Sequence, residues 1–148
     1  MEDKDKIFDA IIKRVREEPY AKKMGMELIK LDEGYSKVKM EFKGDMENIF
    51  GMAHGGAIFS LIDEAFETAA NSHGTAAVAL SMNITYIKPA SPGDVLYAEA
   101  KEVSRSGRIG TYTINVENEG GNLIAICQAL VYRKKEELPF LNLTLSKK

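Results

Sequence analysis

The sequence predicts an α+β fold in which a strongly curved antiparallel sheet wraps one long central helix. Three observations carry this. The element order is helix, two strands, one long apolar helix, then three or four strands. Short turns join successive strands, which implies an antiparallel meander, because parallel neighbours need long crossovers. The central helix is slim, with alanine at Ala57, Ala65, Ala69 and Ala70, so a sheet can approach it closely. A chain of 148 residues, 45% of them apolar, is long enough to bury a core and reads as one domain over residues 1–148.

Ile7, Phe8, Ile11, Ile12 and Val15 fall at helical spacing among Lys and Glu residues. They make a short amphipathic helix ending near Pro19, since proline lacks the amide a helix interior requires. Met26–Leu31 and Tyr35–Phe42 then read as strands about an Asp32-Glu33-Gly34 turn, with Tyr35, Val38, Met40 and Phe42 mostly alternating with polar residues. Gly44–Gly56 is glycine-rich and weakly periodic, hence a loop. From there to Asn71, Ile58, Leu61, Ile62, Ala65, Phe66 and Ala69 form one apolar stripe, with Glu64 and Glu67 expected to point away from it. Val78 to Tyr86 alternates as a long strand stopped by Lys88-Pro89, and Ser91-Pro92-Gly93-Asp94 is turn chemistry. Val95–Val103, Gly110–Glu117 and Leu123–Tyr132 complete the sheet. Its edges invite pairing with another copy, so a dimer is expected.

Several function classes fall away on composition. Twenty Lys+Arg against 22 Asp+Glu, a net charge of −2, lacks the basic surplus of a nucleic-acid binder. A single cysteine, Cys127, makes no internal disulfide and no Cys-based zinc site, and its apolar strand makes it packing rather than a nucleophile. His54 and His73 lie 19 positions apart, without metal-ligand spacing. No G-x-S-x-G elbow or P-loop occurs. The amino terminus mixes both charge signs and lacks the apolar stretch of a signal peptide, and no run of about 18 apolar residues exists to cross a membrane. The expectation is a soluble cytoplasmic protein with neither nucleic-acid nor membrane partners.

One segment carries chemistry. His54-Gly55-Gly56 opens the central helix, and Asp63 sits two turns in. First-turn amides have no internal partner, and that end of the dipole attracts developing negative charge. Gly55 and Gly56 lack Cβ atoms, so a substrate carbonyl can approach those amides. Asp63 flanks the apolar stripe, about 140° from Ile58, where partial desolvation raises a carboxyl pKa and suits it to act as base or nucleophile. Eight residues of helix span about 12 Å, too far for one carbonyl group to touch both ends. If Gly55 and Asp63 act on one substrate, they come from different chains.

From Asn48 to Phe66 the chain matches N-x-x-G-x-x-H-G-G-x-x-F-x-L-x-D-x-A-F, continued by Asn71 and the strand VALSMNITYIKPASPGD. On these residues it resembles the hotdog-fold acyl-CoA thioesterases, in the phenylacetate-degradation (PaaI-type) branch of the 4-hydroxybenzoyl-CoA thioesterase superfamily. The likeness covers roughly residues 20–133. It implies a hotdog fold and hydrolysis of an aryl- or medium-chain acyl-CoA to free acid and coenzyme A. Asp63 takes the position of the family's base or nucleophile, Gly55 of the carbonyl-polarising amide, and Asn48 of the asparagine that positions water or substrate. Ser81 matches a strand hydroxyl near the attacking water, and His54 an orienting or binding histidine. The likeness implies that Asp63 and Ser81 of one subunit face Asn48 and Gly55 of the other, in a homodimer that pairs into a tetramer. Lys88, Arg105 and Arg108 are candidates to meet coenzyme A phosphates. No metal or cofactor is expected, since coenzyme A arrives with the substrate. Glu64 directly after Asp63 departs from the pattern as a second carboxylate. So does the tail 134–148, with Leu138, Phe140, Leu141, Leu143 and Leu145, which is expected to cover the sheet, join an oligomer contact or frame the acyl pocket. Two other readings stay open at this point, a non-catalytic acyl-CoA-binding protein and a hotdog hydratase or dehydratase.

Overall fold

The structure is a computed structural model that describes residues 2–141. The amphipathic first segment is helix α1 (Glu2–Glu17), and Pro19 opens a second helix, α2 (Pro19–Met24). The proline therefore ends one helix and starts another, because a first-turn residue has no internal acceptor for its N–H. Two strands follow, β1 (Glu27–Asp32) and β2 (Tyr35–Glu41), turning at Gly34 with φ +65°. After a 3-10 turn at Gly44–Met46 comes the central helix α3 (Gly55–Asn71). The remaining strands are β3 (Thr75–Tyr86), β4 (Val95–Ser106), β5 (Ile109–Asn118) and β6 (Leu123–Glu137).

All pairings are antiparallel, in the order β1-β2-β4-β5-β6-β3. Helix α3 lies against all six strands, the arrangement of a hotdog fold. Leu61, Ile62, Ala65, Phe66 and Ala69 of the helix are buried against Val38 and Met40 of β2, Leu96 of β4, and Tyr112 and Ile114 of β5. Phe66 meets the Tyr112 ring edge-on at 5.4 Å. At the far end, Ser72 Oγ accepts from Gly34 N (2.8 Å) and donates to Ala69 O (2.6 Å), tying the last turn of α3 to the β1–β2 hairpin.

The meander holds only in part. β4, β5 and β6 are successive neighbours, but β3 pairs with β6 and not with β4. Asp94 Oδ2 accepts from Ser91 N (2.8 Å), while Phe42 N donates to Asp94 O (2.8 Å) and Gly93 N to Phe42 O (2.9 Å), fastening this turn to the end of β2. The Ser91–Asp94 turn thus hands the chain across to β2 instead of folding a hairpin back on β3.

Glu64 also departs from expectation. It is 4% exposed, and Ser60 and Thr68, one turn either side, are buried with it. The apolar wheel sees one sheet, whereas the α1–α2 elbow covers the back of α3: Tyr20 of α2 bonds Ser60 Oγ at 2.6 Å. The tail is partly sheet, since β6 runs to Glu137, and Leu138, Phe140 and Leu141 pack with Ile11 and Val15 of α1. Leu143 and Leu145 lie outside the described residues. Among those described, no helix is long and apolar enough to cross a membrane.

A slim helix inside one sheet makes the alanines structural. Replacing Ala69, fully buried, by leucine is expected to lower unfolding free energy by about 1–3 kcal/mol through overpacking, read as a lower urea midpoint with an unchanged m-value.

Candidate active site

The loop before α3 is a built turn. Asn48 N donates to Met52 O (2.8 Å), and Glu47 bridges Ala53. Asn48 Oδ1 accepts from Phe50 N (2.8 Å) and Met52 N (3.1 Å). Two backbone donors fix the amide orientation, so the Asn48 Nδ2 hydrogens are the part of the side chain left for a ligand. Asn48 is therefore a turn residue and a potential donor at once. Ala53 N bonds Ala90 O and His54 N bonds Met46 O, which brings the loop against the chain that follows β3 and sets the entry to the helix.

His54 is the N-cap of α3. Its Nδ1 accepts from Gly56 N at 2.8 Å, which leaves the ring proton of the neutral imidazole on Nε2. Ala57 N and Ile58 N both donate to His54 O. With these three amides engaged, the Gly55 N–H is the first-turn donor that has no protein acceptor among the described residues. Tyr86 OH donates to Gly55 O at 2.9 Å. A Cβ on Gly55 would stand 3.3 Å from the Tyr86 ring, and one on Gly56 3.1 Å from His54 Nδ1. At both glycines a Cβ would press on the side chain that engages that turn, so the neighbour would have to give by a few tenths of an ångström.

Asp63 is exposed in the protomer, yet enough protein surrounds its carboxyl to push it above the usual carboxylate range, with the charge of Glu18 adding to the effect. Its own charge reaches Cys127, whose thiol is pushed up to about 11, chiefly by burial. Cys127 pairs with Ile84 of β3, so Asp63 leans toward the β6–β3 side of the sheet. Ser81 lies on that side, exposed on β3 immediately after a register shift that separates the Ala79–Val131 and Ser81–Leu130 pairs. Asp63 and Gly55 stay about 12 Å apart along one helix. One protomer therefore holds a helix-start amide donor and a carboxylate too far apart to meet on one carbonyl group.

Burial dominates the upward shift of Glu64, beside Glu18 and Glu67, and Glu67 is raised for the same reason with Glu18's charge added. Of the neighbouring acids, Glu18 rather than Glu64 is the one that raises Asp63, and Asp63 in turn acts on Glu67. The three phosphate candidates are not one cluster within a protomer. Lys88 N bonds Ile124 O at the start of β6, whereas Arg108 Nη1 and Arg108 O bond Arg133 O and N nine residues on. That separation is about 30 Å of strand, and Arg105 lies at the Arg108 end of the β4–β5 hairpin. Sequence reasoning did not single out Tyr86 or Glu18. Tyr86 stood as one more alternating apolar position, and its contact with Gly55 spans 31 residues.

Residues 50–125 match the Thioesterase superfamily. A protein of Archaeoglobus fulgidus is 45% identical over 112 residues, 76% of this chain and 73% of its own. The acyl-coenzyme A thioesterase PaaI of Escherichia coli is 36% identical over 76% of this chain and 81% of its own. The solved E. coli PaaI structure, from the phenylacetic acid degradation operon, superposes with a TM-score of 0.86, covering 90% of this chain and 96% of that one at 32% identity. A Streptococcus mutans protein solved bound to acetyl-CoA gives 0.73 at 25% identity, over 76% of this chain and 91% of that one.

His54→Ala removes the cap and frees the Gly56 amide. It is expected to lower stability by about 1 kcal/mol, while His54→Asn, whose side-chain oxygen can cap the same amide, keeps most of it; chemical denaturation of the two variants checks this.

Proposed function

Given that this chain belongs to the thioesterase superfamily and is a thioester hydrolase, we propose that it hydrolyses an aryl- or medium-chain acyl-CoA in a site shared by two subunits. The observation that carries the reading is the unpaired Gly55 N–H at the start of a helix whose carboxylate, Asp63, lies two turns away. The two meet on one substrate only if a second helix runs antiparallel beside the first.

The substrate carbonyl accepts from Gly55 N–H, with Asn48 Nδ2 beside it. Asp63 of the facing subunit takes a proton from water as the water oxygen bonds to the carbonyl carbon. The oxyanion so formed is held by the Gly55 amide in a site shielded from solvent, where a fixed donor is most effective. Collapse breaks the C–S bond and releases coenzyme A, whose thiolate takes the proton. In the other route open to the same geometry, Asp63 attacks the carbon directly and the C–S bond breaks with release of the coenzyme A thiolate. Water then opens the mixed anhydride, returning the Asp63 carboxylate and the free acid, with a proton passing to the thiolate. Ser81 stands as the hydroxyl that orients water, and His54 as the residue that aims the Gly55 amide by holding its neighbour. Coenzyme A is part of the substrate, and no metal or separate cofactor takes part.

The edge strand β3 supports the pairing. It is 12 residues long, carries no charged side chain and no proline, and exposes Val78, Leu80 and Tyr86. The opposite edge, β1, carries Glu27, Lys30 and Asp32, the charges that protect an edge from association. Pairing through β3 turns the Arg105–Arg108 end of one subunit toward the Lys88 end of the other, where the three cations can share the coenzyme A phosphates. Ile49, 92% exposed, and Phe50, 79% exposed, beside Asn48 favour further burial as dimers pair into a tetramer. Cytoplasmic residence fits a substrate of this kind.

Free-thiol release across phenylacetyl, benzoyl, short, medium and long acyl-CoAs tests the activity. Asp63→Asn is expected to abolish release while the oligomer persists. Binding of acyl-CoA without release from any substrate leaves a ligand-binding protein instead, and water addition to an enoyl-CoA leaves a hydratase. Mixing Asp63→Asn with Asn48→Ala chains, each weak alone, is expected to restore about a quarter of wild-type turnover, because half of the random dimers hold one intact site of two. A mixture no better than the average of its parts excludes the shared site.

A further inference from the structure

Glu18, Glu64 and Glu67 present carboxylate oxygens that all lie within 4.8 Å of one another, at the point where the α1–α2 elbow covers α3. Glu64 is 4% exposed, and its Oε1 is buried without a hydrogen-bond donor among the described residues. Leaving a carboxylate oxygen buried and unsatisfied is costly, more so beside two others. Glu18 stands at the N-cap position of α2 but makes no side-chain cap bond there; its carboxylate serves the cluster instead. Glu18 and Glu67, but not the buried Glu64, line a cavity of about 200 Å³ together with Arg14, Thr68 and Asn71. Among the described residues, neither Arg14 nor any other cation makes a direct ion pair with the three carboxylates.

We infer that this cluster is a binding site for one hard divalent cation, of the Ca²⁺, Mn²⁺ or Mg²⁺ class, held by Glu18, Glu64 and Glu67. Such ions take oxygen ligands at about 2.0–2.6 Å, which places neighbouring and opposed ligand oxygens about 3–5 Å apart. Mutual distances of no more than 4.8 Å fall within that range. The set contains neither histidine nor cysteine, which selects against softer metals. Exposed Glu67 and half-buried Glu18 leave room for water to complete the shell. The ion fastens the N-terminal elbow to the central helix one residue from Asp63, and so couples cation availability to the placement of α3. This inference stands apart from the hydrolase reading, because binding is measured without substrate.

The test uses full-length protein stripped with chelator and dialysed into metal-free buffer. Mn²⁺ is the probe, followed by loss of the free-ion EPR signal, with Ca²⁺ and Mg²⁺ as competitors and thermal melting in parallel. One Mn²⁺ per chain is expected, with a melting temperature raised by about 5–10 °C at hundredfold excess over Kd. Both Glu64→Gln and Glu67→Gln are expected to weaken binding about tenfold or more. Glu67 is exposed, so its variant keeps the test valid if the Glu64 change harms folding. A full free-Mn²⁺ signal with wild type, or variants that bind like wild type, overturns the site. So does a Glu64→Gln protein that melts higher while wild type ignores all three ions, because a shared proton then holds the carboxylates together.

Discussion

Helix α3 touches all six strands, and the small side chains at Ala65, Ala69 and Ala70 let a single sheet reach it along its length. This close approach sets nearly everything else. It buries Leu61, Ile62 and Phe66 against β2, β4 and β5, so the helix axis is held by the core and not by its own ends. A helix fixed in this way presents its first turn at a constant place, and the loop from Gly44 to His54 is built around that place by short hydrogen bonds. An amide that stabilises an oxyanion needs such preorganisation, because a donor that must reorient at the moment of reaction loses much of its benefit.

Residues that hold the structure and residues that offer chemistry are largely the same here. His54 caps the helix through Nδ1, and by occupying the Gly56 amide it leaves Gly55 as the free donor. Asn48 spends its side-chain oxygen on its own turn, which leaves the Nδ2 hydrogens as the side chain's remaining donors. Tyr86 reaches from the end of β3 to hold the Gly55 carbonyl, so the Gly55–Gly56 peptide is gripped at both its C=O and its N–H while the N–H of Gly55 itself stays open. Substitution at any of these positions therefore moves geometry and chemistry together.

The covered back of α3 shows the opposite compromise. Ser60, Glu64 and Thr68 form a buried polar stripe under the N-terminal elbow. Ser60 is satisfied by Gly56 O and Tyr20, and Thr68 by Glu64 O and Ala65 O. Glu64 alone is left with an orphan oxygen, next to two more carboxylates. Asp63, one position along, lies outside the cover and retains access to solvent in the protomer.

The alternation and helical stripes in the sequence were enough to locate all six strands and the central helix, since burial on one face imposes a period of 2 or 3.6 on residues near in the chain. The His54-Gly55-Gly56 start of that helix was legible for the same reason, and the carboxylate proposed to work with it, Asp63, lies in the same local segment. What lay beyond the sequence depends on contacts between distant segments. The exchange of β4 for β6 as the neighbour of β3, the elbow that buries Glu64, the Tyr86 bond to Gly55 and the gathering of Glu18 with Glu64 and Glu67 have no local signature. A helical wheel weighs each residue against one partner surface, whereas α3 has two, and only the packed chain decides which side chains the second one covers.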